Sequence, residues 1–349
     1  MKGELLQLNN LSTGYVNAGE TKLVGQHMSG VLRQGELVCL LGANGAGKST
    51  LMRSICGFLP VIQGEILINN VRVRNISDKV MARQLAVVLT DKVETENITV
   101  EELVAYGRSP YTGFLGRLNN EDRRIVKQSL KQCGVFDKAD RQVHSLSDGE
   151  RQKVMIAKAL AQDTSFIMLD EPTAFLDLPT RVDVMQLLRQ LASTGKTILM
   201  STHDLDLALQ LADKIWLMHA DGSFETGTPE DLLIKNSIQR IFNKEKVVFN
   251  AKTGLFQVNH QYTQTLAVKG HGFAYVLLRR ALSRNGVKTV NLTSDADVYV
   301  YIEKEEKPTF SIYAYGEKLN AYTQMEQLID AILLLLSQQT VVSRPAATN

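Results

Sequence analysis

The chain is poor in the features that mark secreted and nucleic-acid-binding proteins. It has only three cysteines in 349 residues. Their spacing fits neither a metal site nor a disulfide framework, so we expect buried free thiols in a reducing compartment. Lys and Arg number 39 against 37 Asp and Glu, a net charge of +2. Because this balance leaves no basic footprint for nucleic acid, we expect no nucleic-acid partner.

Long apolar runs are also missing from the sequence. The most apolar segment, residues 331–336, is far shorter than the roughly 20 residues that a membrane-spanning helix needs. The first residues, MKGELLQ, lack the apolar core of a secretory signal. We therefore expect any membrane-spanning part to be another polypeptide. With 349 residues, 44% of them hydrophobic, the chain is long enough for two domains with sizeable cores.

A glycine-rich segment, GANGAGKS at residues 42–49, lies between a predicted buried strand (37–41) and a predicted helix (49–56). It matches G-x-x-x-x-G-K-[ST], a phosphate-binding loop. The glycines at 42, 45 and 47 permit positive φ and let backbone N–H groups approach phosphate oxygens at a helix N-terminus. We expect Lys48 to reach the β- and γ-phosphates and Ser49 to ligate Mg²⁺. The residues predicted to bind the nucleotide here are Gly42, Ala43, Asn44, Gly45, Ala46, Gly47, Lys48, Ser49 and Thr50.

Two carboxylates follow a second apolar run. Residues 166–169 are typical of a strand buried in a parallel sheet, and they lead into Asp170 and Glu171. At the carboxyl edge of such a sheet, Asp170 is placed to hold Mg²⁺ through water, and Glu171 is placed to orient or deprotonate an attacking water. The alternative is a pair of solvated acids. A third predicted strand (197–201) brings His203 to the same edge, where it either contacts the γ-phosphate or is structural.

Taken in order, these motifs resemble those of the ATP-binding subunits of ABC transporters, over roughly residues 5–245. GANGAGKST resembles the Walker A loop, and FIMLDEP resembles the Walker B strand with Glu171 as its catalytic residue. LSDGERQKV, which begins at Leu146, resembles the ABC signature. The resemblance also implies that Tyr15 stacks on adenine, that Asp177 belongs to the D-loop and that His203 is the switch histidine.

In that family two ATPase domains meet head to tail, and each ATP lies between the Walker loop of one subunit and the signature of the other. The resemblance therefore implies a homodimer that binds ATP and Mg²⁺. The residues expected to act in trans are Ser147, Asp148, Gly149 and Glu150, at the start of a helix predicted to run to Ala161. The N-terminus of that helix would form a second anion-binding site.

The signature departs from the family pattern at two positions. Asp148 stands where a second glycine is usual, and Glu150 stands where glutamine is usual. Acids beside a γ-phosphate weaken its binding unless they point away or are neutralised, for example by Arg151 or Lys153. We expect Asp148 to face away from the nucleotide.

A further departure lies at the position of the Q-loop glutamine, which is Thr90 in this chain. Thr90 or Asp91 could still touch Mg²⁺ or water. The connection that the glutamine usually provides between nucleotide and transport partner is in question, whereas we expect hydrolysis itself to survive.

The segment ELVAYGRSPYTGFLGRLNNEDRRIV, residues 102–126, closely resembles ATPases that energise uptake of iron-siderophore, haem and cobalamin complexes. The resemblance implies an ATP hydrolase that drives import through a separate integral membrane permease, with a substrate-binding protein outside the membrane. The ATPase would be peripheral, at the cytoplasmic face of the inner (plasma) membrane. Tyr106, Arg108, Tyr111 and Phe114 would lie on the surface that receives the permease, although Tyr106 and Phe114 are equally explained as core residues.

The predicted fold class is α/β, with a P-loop ABC-type ATPase domain over residues 1–245 and a small accessory α/β domain over 246–349. A helical subdomain is expected at about 95–160. A helix capped by Thr228 should close the ATPase domain near Asn243. In the accessory domain we predict strands at 265–269, 288–292, 298–303 and 309–315, and helices at 273–284 and 325–336. Its position after a complete catalytic domain suggests that it regulates or dimerises the ATPase.

Other functional classes fit the sequence less well. A soluble ABC ATPase acting on DNA or ribosomes would share the Walker loop and signature, but the charge is near neutral, and a long coiled-coil insertion and a second Walker loop are missing. A P-loop kinase or GTPase would have no use for LSDGERQ or His203. The cargo stays open among siderophore, haem and cobalamin complexes, because specificity would lie in the permease and its binding protein.

Overall fold

The computed structural model describes residues 3–17, 20–90, 97–113, 116–242, 247–250, 255–293, 296–303 and 307–342. The chain divides into two compact units. The first unit comprises residues 1–243 and 249–256, and the second comprises residues 244–248 and 257–349. Each unit has a hydrophobic core of its own.

The first unit is built on a six-stranded sheet. Its strands are β3 (Leu37–Gly42), β6 (Leu85–Val88), β7 (Phe166–Leu169), β8 (Thr197–Ser201), β9 (Lys214–Met218) and β10 (Phe224–Gly227). They follow the order β10-β9-β3-β8-β7-β6, and only β10, at one edge, runs antiparallel to its neighbour. Every residue of β3, β7 and β8 is buried, as expected for parallel strands covered on both faces. The three predicted strands are confirmed.

A second, antiparallel sheet of the first unit has the order β2-β1-β4-β5. Its strands are β1 (Glu4–Asn17), β2 (Glu20–Arg33), β4 (Gln63–Ile68) and β5 (Val71–Arg72). The turn between β4 and β5 is formed by Asn69 and Asn70, with φ of 50° and 63°. Positive φ at both central residues is the geometry of the tight hairpin turns that asparagine favours.

Nine helices of the first unit are described: α1 (Lys48–Ile55), α2 (Asp78–Met81), α3 (Val100–Ala105), α4 (Asn120–Gln132), α5 (Asp148–Ala161), α6 (Leu178–Ser193), α7 (Leu205–Leu211), α8 (Pro229–Ile234) and α9 (Ser237–Phe242). Capping boxes start α3, α4 and α5. Thr228 caps α8 as predicted, but the single helix expected to reach Asn243 is wrong. Asn236, with φ of 56°, separates α8 from α9.

The six-stranded sheet separates two apolar clusters. Leu37, Cys39 and Leu41 of β3 point into the cluster shared with α3 to α7, whereas Val38 and Leu40 point into the cluster shared with α1 and the antiparallel sheet. The alternating side chains of one strand thus join both layers.

The three cysteines are buried and unpaired, which confirms the expectation of free thiols. Burial raises the pKa of Cys39, Cys56 and Cys133 to about 12. Each thiol is therefore protonated and unreactive at neutral pH.

Helices α3, α4 and α5 pack against one another around a buried ion pair. Arg108 Nε donates to Asp122 Oδ1 at 2.8 Å, with side chains only 6% and 4% exposed. Arg108 Nη1 donates to the carbonyl of Ala161 at the end of α5, and the guanidinium lies 4.0 Å from the ring centroid of Tyr111. Burial alone would raise the pKa of Asp122, but the hydrogen bonds from Arg108 and the Asn119 backbone keep it below its ordinary value.

Of the residues expected on the partner-binding surface of this region, Tyr106 and Tyr111 are exposed, whereas Arg108 is buried. Phe114 lies outside the described residues. The buried Arg108 therefore holds the segment around Tyr106 and Tyr111 to α4 and α5.

In the second unit, the described residues form one five-stranded sheet and two helices that pack on the sheet. The strands are β13 (Gln264–Lys269), β14 (Val287–Asn291), β15 (Val298–Glu303), β16 (Thr309–Ala314) and β17 (Glu317–Tyr322), in the order β14-β13-β15-β16-β17. The helices are α10 (Gly272–Arg284) and α11 (Met325–Val342). The predicted strands and helices are confirmed, but β17 and the separate two-stranded sheet of β11 (Val247–Asn250) and β12 (Leu255–Val258) were not predicted.

In the parts of the chain that the structure describes, no helix is long and apolar enough to cross a membrane.

We expect replacement of Arg108 by leucine to destabilise the first unit by about 3–5 kcal/mol, because it leaves the Asp122 carboxylate buried without its cation. The measurement is denaturant unfolding at pH 7. Arg124→Leu is the matched control, because Arg124 forms an exposed ion pair with Glu121 on the same helix, and such pairs contribute little. Equal unfolding midpoints for wild type and Arg108→Leu would contradict the structural role of the buried pair.

Candidate functional site

The glycine-rich loop joins the end of β3 to the start of α1. Gly45 and Gly47 have φ of 80° and 101°, and Gly47 is the N-cap of α1. These left-handed residues turn successive N–H groups toward one side and form an anion-binding concavity at the helix N-terminus. The expectation of positive φ is wrong for Gly42, which is the last residue of β3. Glycine is needed there because a Cβ would lie 2.6 Å from the carbonyl oxygen of Met218.

Lys48 is turned inward within this loop. Its side chain is buried, and Nζ donates to the carbonyl oxygens of Gly42 at 3.0 Å and Ala43 at 3.4 Å. Burial lowers the pKa of Lys48 below its ordinary value, although the nearby carboxylates of Glu171 and Asp170 oppose the shift. A phosphate oxygen is a stronger partner for a desolvated ammonium than a peptide carbonyl, so this lysine can exchange the loop carbonyls for phosphate.

Tyr15 lies beside the start of α1. Its hydroxyl is 3.2 Å from the hydroxyl of Thr50, and its ring is partly exposed. The ring is therefore held next to the phosphate loop and is partly open to solvent. Ser49, the preceding residue, is exposed at the first turn of α1.

The predicted acids and histidine come together at the carboxyl edge of the large sheet. His203 Nε2 lies 2.7 Å from Glu171 Oε1. Asp170 Oδ1 accepts a hydrogen bond from the hydroxyl of Ser201 at 2.6 Å. Thr90 lies at the same edge and donates its hydroxyl proton to the backbone carbonyl of Asp170 at 2.7 Å. Asp91 lies outside the described residues.

Ser201 is a site residue that the sequence reasoning missed. It is fully buried, and its Oγ also accepts the backbone N–H of Glu171 at 2.9 Å. The available signal was its place as the last residue of a buried strand, two positions before His203. A polar residue at the carboxyl end of such a strand faces the same edge as Asp170.

The signature begins at the N-terminus of α5. Ser147 is the N-cap, and its hydroxyl accepts the backbone N–H of Glu150 while Glu150 Oε2 accepts the backbone N–H of Ser147. This reciprocal pair holds the pKa of Glu150 below its ordinary value. Lys138 Nζ lies 3.5 Å from Glu150 Oε1, and the sequence did not reveal this contact between a cation and a signature acid.

The other signature acid is balanced within its own helix. Arg151 Nη1 lies 3.6 Å from Asp148 Oδ1, and the Asp148 side chain is half exposed. Lys153, the other candidate for neutralisation, pairs instead with Asp183 at 3.3 Å. Gly149 faces α6, where a Cβ would collide with the side chain of Thr180.

Asp177 is the N-cap of α6, and its Oδ1 accepts the backbone N–H of Thr180 at 3.3 Å. Its side chain is exposed. The two helices that carry the signature and Asp177 therefore meet at Gly149 and Thr180.

The side chains at the carboxyl edge fit Mg²⁺ by their chemistry. The Ser49 hydroxyl and the Asp170 carboxylate are hard oxygen donors, the kind that Mg²⁺ prefers together with phosphate oxygens. The whole arrangement can bind a triphosphate at the helix N-terminus, hold a divalent cation beside it and present Glu171, with His203 2.7 Å away, to a water.

Comparison with known proteins agrees with this chemistry. A family profile described as ABC transporter matches residues 26–174, and one described as iron ABC transporter C-terminal domain matches residues 263–333. The petrobactin import ATP-binding protein FpuD of Bacillus anthracis is 36% identical over 69% of this chain and 87% of that protein. The iron(3+)-hydroxamate import ATP-binding protein FhuC of Bacillus subtilis is 34% identical, with coverage of 67% and 88%.

Among solved structures, a bacterial ABC transporter cassette determined as a dimer is similar to this chain. It has a TM-score of 0.57 and 27% sequence identity, over 64% of this chain and 99% of the cassette. The likeness extends to nearly the whole cassette, and the sequence relatives are matched over most of their length. The chain therefore belongs to the ATP-binding proteins of ABC transporters, the ATPases whose motifs its sequence carries.

Proposed function

We propose that this chain is the ATPase subunit of an importer for an iron-siderophore, haem or cobalamin-type complex. The observation that carries the proposal is the close approach of Glu171 and His203 at the edge of the sheet that also holds the phosphate loop. In addition, relatives of this chain are named for import of petrobactin and iron hydroxamates. The subunit acts as a homodimer, lies at the cytoplasmic face of the plasma membrane and drives a separate membrane permease. An external substrate-binding protein supplies the cargo.

In the proposed mechanism the chain's own residues bind ATP and direct hydrolysis. Residues 42–50 hold the phosphates, Lys48 moves from the loop carbonyls to the γ-phosphate, and Tyr15 stacks on the base. Ser49 and Asp170 would hold Mg²⁺, which would supply charge neutralisation at the phosphates. Glu171 accepts a proton from the attacking water as the bond between the γ-phosphorus and the bridging oxygen of ADP breaks, and His203 holds the Glu171 carboxylate in place.

The signature completes the site from the partner subunit. Ser147, the Gly149 backbone and the N-terminus of α5 receive the γ-phosphate of the opposite subunit, and Asp177 lies at the same interface. The charges of Asp148 and Glu150 do not oppose this binding, because Arg151 and Lys138 lie beside them and Glu150 also satisfies the Ser147 N–H. ATP thereby favours the closed dimer, and hydrolysis releases it, which switches the permease between states.

The domain assignment is part of the proposal. Residues 1–245 form the ATPase with its helical subdomain at about 95–160, and residues 246–349 form an accessory domain that regulates or dimerises it. The compact units support a division near residue 243. Residues 249–256 are an exception, because they belong to the first unit and Phe249 is buried in its core.

Replacement of Glu171 by glutamine should lower ATP hydrolysis by about 100-fold or more, because glutamine keeps the shape but cannot accept the proton. ATP affinity should stay within a few fold of wild type. Steady-state ATPase assays and nucleotide titration measure the two quantities. Glu225→Gln is the matched control, since Glu225 also pairs with a histidine, His219, at 2.9 Å. A Glu171→Gln enzyme with wild-type turnover would remove Glu171 from the catalytic role.

The importer assignment is tested by affinity isolation of tagged Glu171→Gln protein, trapped with ATP, from detergent-solubilised native membranes. We expect a polytopic permease to co-purify. Lys48→Ala is the control, because it removes the phosphate contact and therefore should not give the ATP-trapped complex. Recovery of only ribosomal or DNA-associated proteins would favour the soluble ABC ATPase class and overturn the transport assignment, while the ATPase chemistry would stand.

Removal of the second unit tests its role. Truncation after Phe256 keeps Phe249 in the core of the first unit, whereas truncation after Asn243 removes it. We expect the longer fragment to fold and bind ATP with altered turnover or altered dimer affinity, measured by ATPase assay and analytical ultracentrifugation. Unchanged values for both would exclude a regulatory or dimerising role.

A further inference from the structure

Three neighbouring strands of the large sheet end at one place. β6, β7 and β8 are adjacent and parallel, with Val88 paired to Leu169 and Leu169 paired to Met200. Beyond this shared level, Thr90 follows β6, Asp170 follows β7, and Ser201 is the last residue of β8. Because the strand ends are in register, the side chains of the two outer strands can reach the backbone of the middle one.

The peptide unit that joins Asp170 to Glu171 is hydrogen-bonded at both of its polar atoms. Its carbonyl oxygen accepts the Thr90 hydroxyl at 2.7 Å, and its N–H donates to Ser201 Oγ at 2.9 Å. Ser201 in turn donates its own proton to Asp170 Oδ1 at 2.6 Å. Two hydroxyls, one from each flanking strand, therefore fix the orientation of this peptide plane.

The fixed peptide precedes a residue with unusual backbone geometry. Glu171 has φ of 47°, in the left-handed region that a residue with a Cβ adopts only where its surroundings hold it. Its carbonyl accepts the N–H of Ala174 at 3.0 Å, and its carboxylate meets His203 at 2.7 Å. Rotation of the preceding peptide would change φ of Glu171 and move the carboxylate away from His203.

We propose that Thr90 and Ser201 are positioning residues for hydrolysis, acting as a hydroxyl pair that holds the Asp170–Glu171 peptide and thereby aims the Glu171 carboxylate. The inference rests on the proposed catalytic role of Glu171. It also gives Thr90 a role at the position where the family has glutamine. Because the Thr90 hydroxyl donates its proton to the Asp170 carbonyl, the proposal assigns Thr90 a role through Glu171, and the alternative role as a ligand of metal or water is an outcome that the test distinguishes.

The test compares single-atom changes in the full-length chain. Thr90→Val keeps the shape and removes the donor, and we expect kcat to fall about fivefold to tenfold, the loss of roughly one hydrogen bond from the reactive geometry. KM for ATP should stay within about twofold of wild type. Thr90→Ser keeps the hydroxyl and should restore kcat to within about twofold. Ser201→Ala, which frees both Glu171 N–H and Asp170 Oδ1, should lower kcat by about tenfold or more.

Two comparisons separate positioning from a general structural effect. Thr194→Val is the matched control, because Thr194 Oγ1 donates to the carbonyl of Leu191 at 2.9 Å, a bond of the same kind at the end of α6. This control should keep wild-type kcat. In a Glu171→Gln background, where the carboxylate is gone, Thr90→Val should cause no further loss in single-turnover hydrolysis, whereas a folding defect would lower the rate again.

Several outcomes would overturn the inference. The first is a Thr90→Val enzyme whose kcat stays within twofold of wild type, and the second is a Thr90→Ser enzyme as impaired as Thr90→Val. The third is a Thr90→Val defect that added Mg²⁺ corrects, because this result would place Thr90 at the metal. Should Ser201→Ala fail to fold, the Thr90 series decides the inference. A failure of the proposed function would look different, because a Glu171→Gln enzyme would then hydrolyse ATP at the wild-type rate.

Discussion

The constraint on which the first unit depends is the burial of its central strands on both faces. β3, β7 and β8 expose no residue, so each must have a neighbour on either side and a layer above and below. Parallel strands meet this requirement, and they then end at one edge. The phosphate loop, the two Walker carboxylates and His203 come from segments far apart in sequence, and they meet because hydrophobic burial fixes where those strands end.

Charge imposes a second constraint, at the signature. An anion-binding helix N-terminus that carries two acids would repel phosphate, yet each acid has a local partner: Arg151 for Asp148, and Lys138 with the Ser147 N–H for Glu150. Glu150 even stabilises the helix start, because its carboxylate satisfies an N–H that would otherwise be unpaired. The departures from the family pattern are therefore compatible with a phosphate site, since their charge is compensated within a few residues of sequence or across a short loop.

The sequence predicted the buried strands, the phosphate loop and the placement of Glu171 and His203 at one edge of the sheet, because apolar runs and glycine spacing are local signals. It did not predict β17, whose residues are nearly all exposed and show no apolar alternation. It also missed Ser201 and Lys138, because their roles depend on neighbours that are distant along the chain, at Asp170 and Glu150. Gly42 shows the same limit, since the reason for glycine there is the carbonyl of Met218, on a strand far along the chain.

The hydroxyl pair illustrates how one substitution changes the way a position works. A glutamine after β6 has a long side chain that can reach out from the sheet edge, whereas threonine carries its hydroxyl on Cβ and can reach only the adjacent strand. In this chain that hydroxyl meets the Asp170 carbonyl, opposite the N–H that Ser201 accepts. In the role proposed here, the same position in the fold acts on the Glu171 carboxylate through the backbone, because the two bonds hold the peptide that precedes the left-handed φ of Glu171.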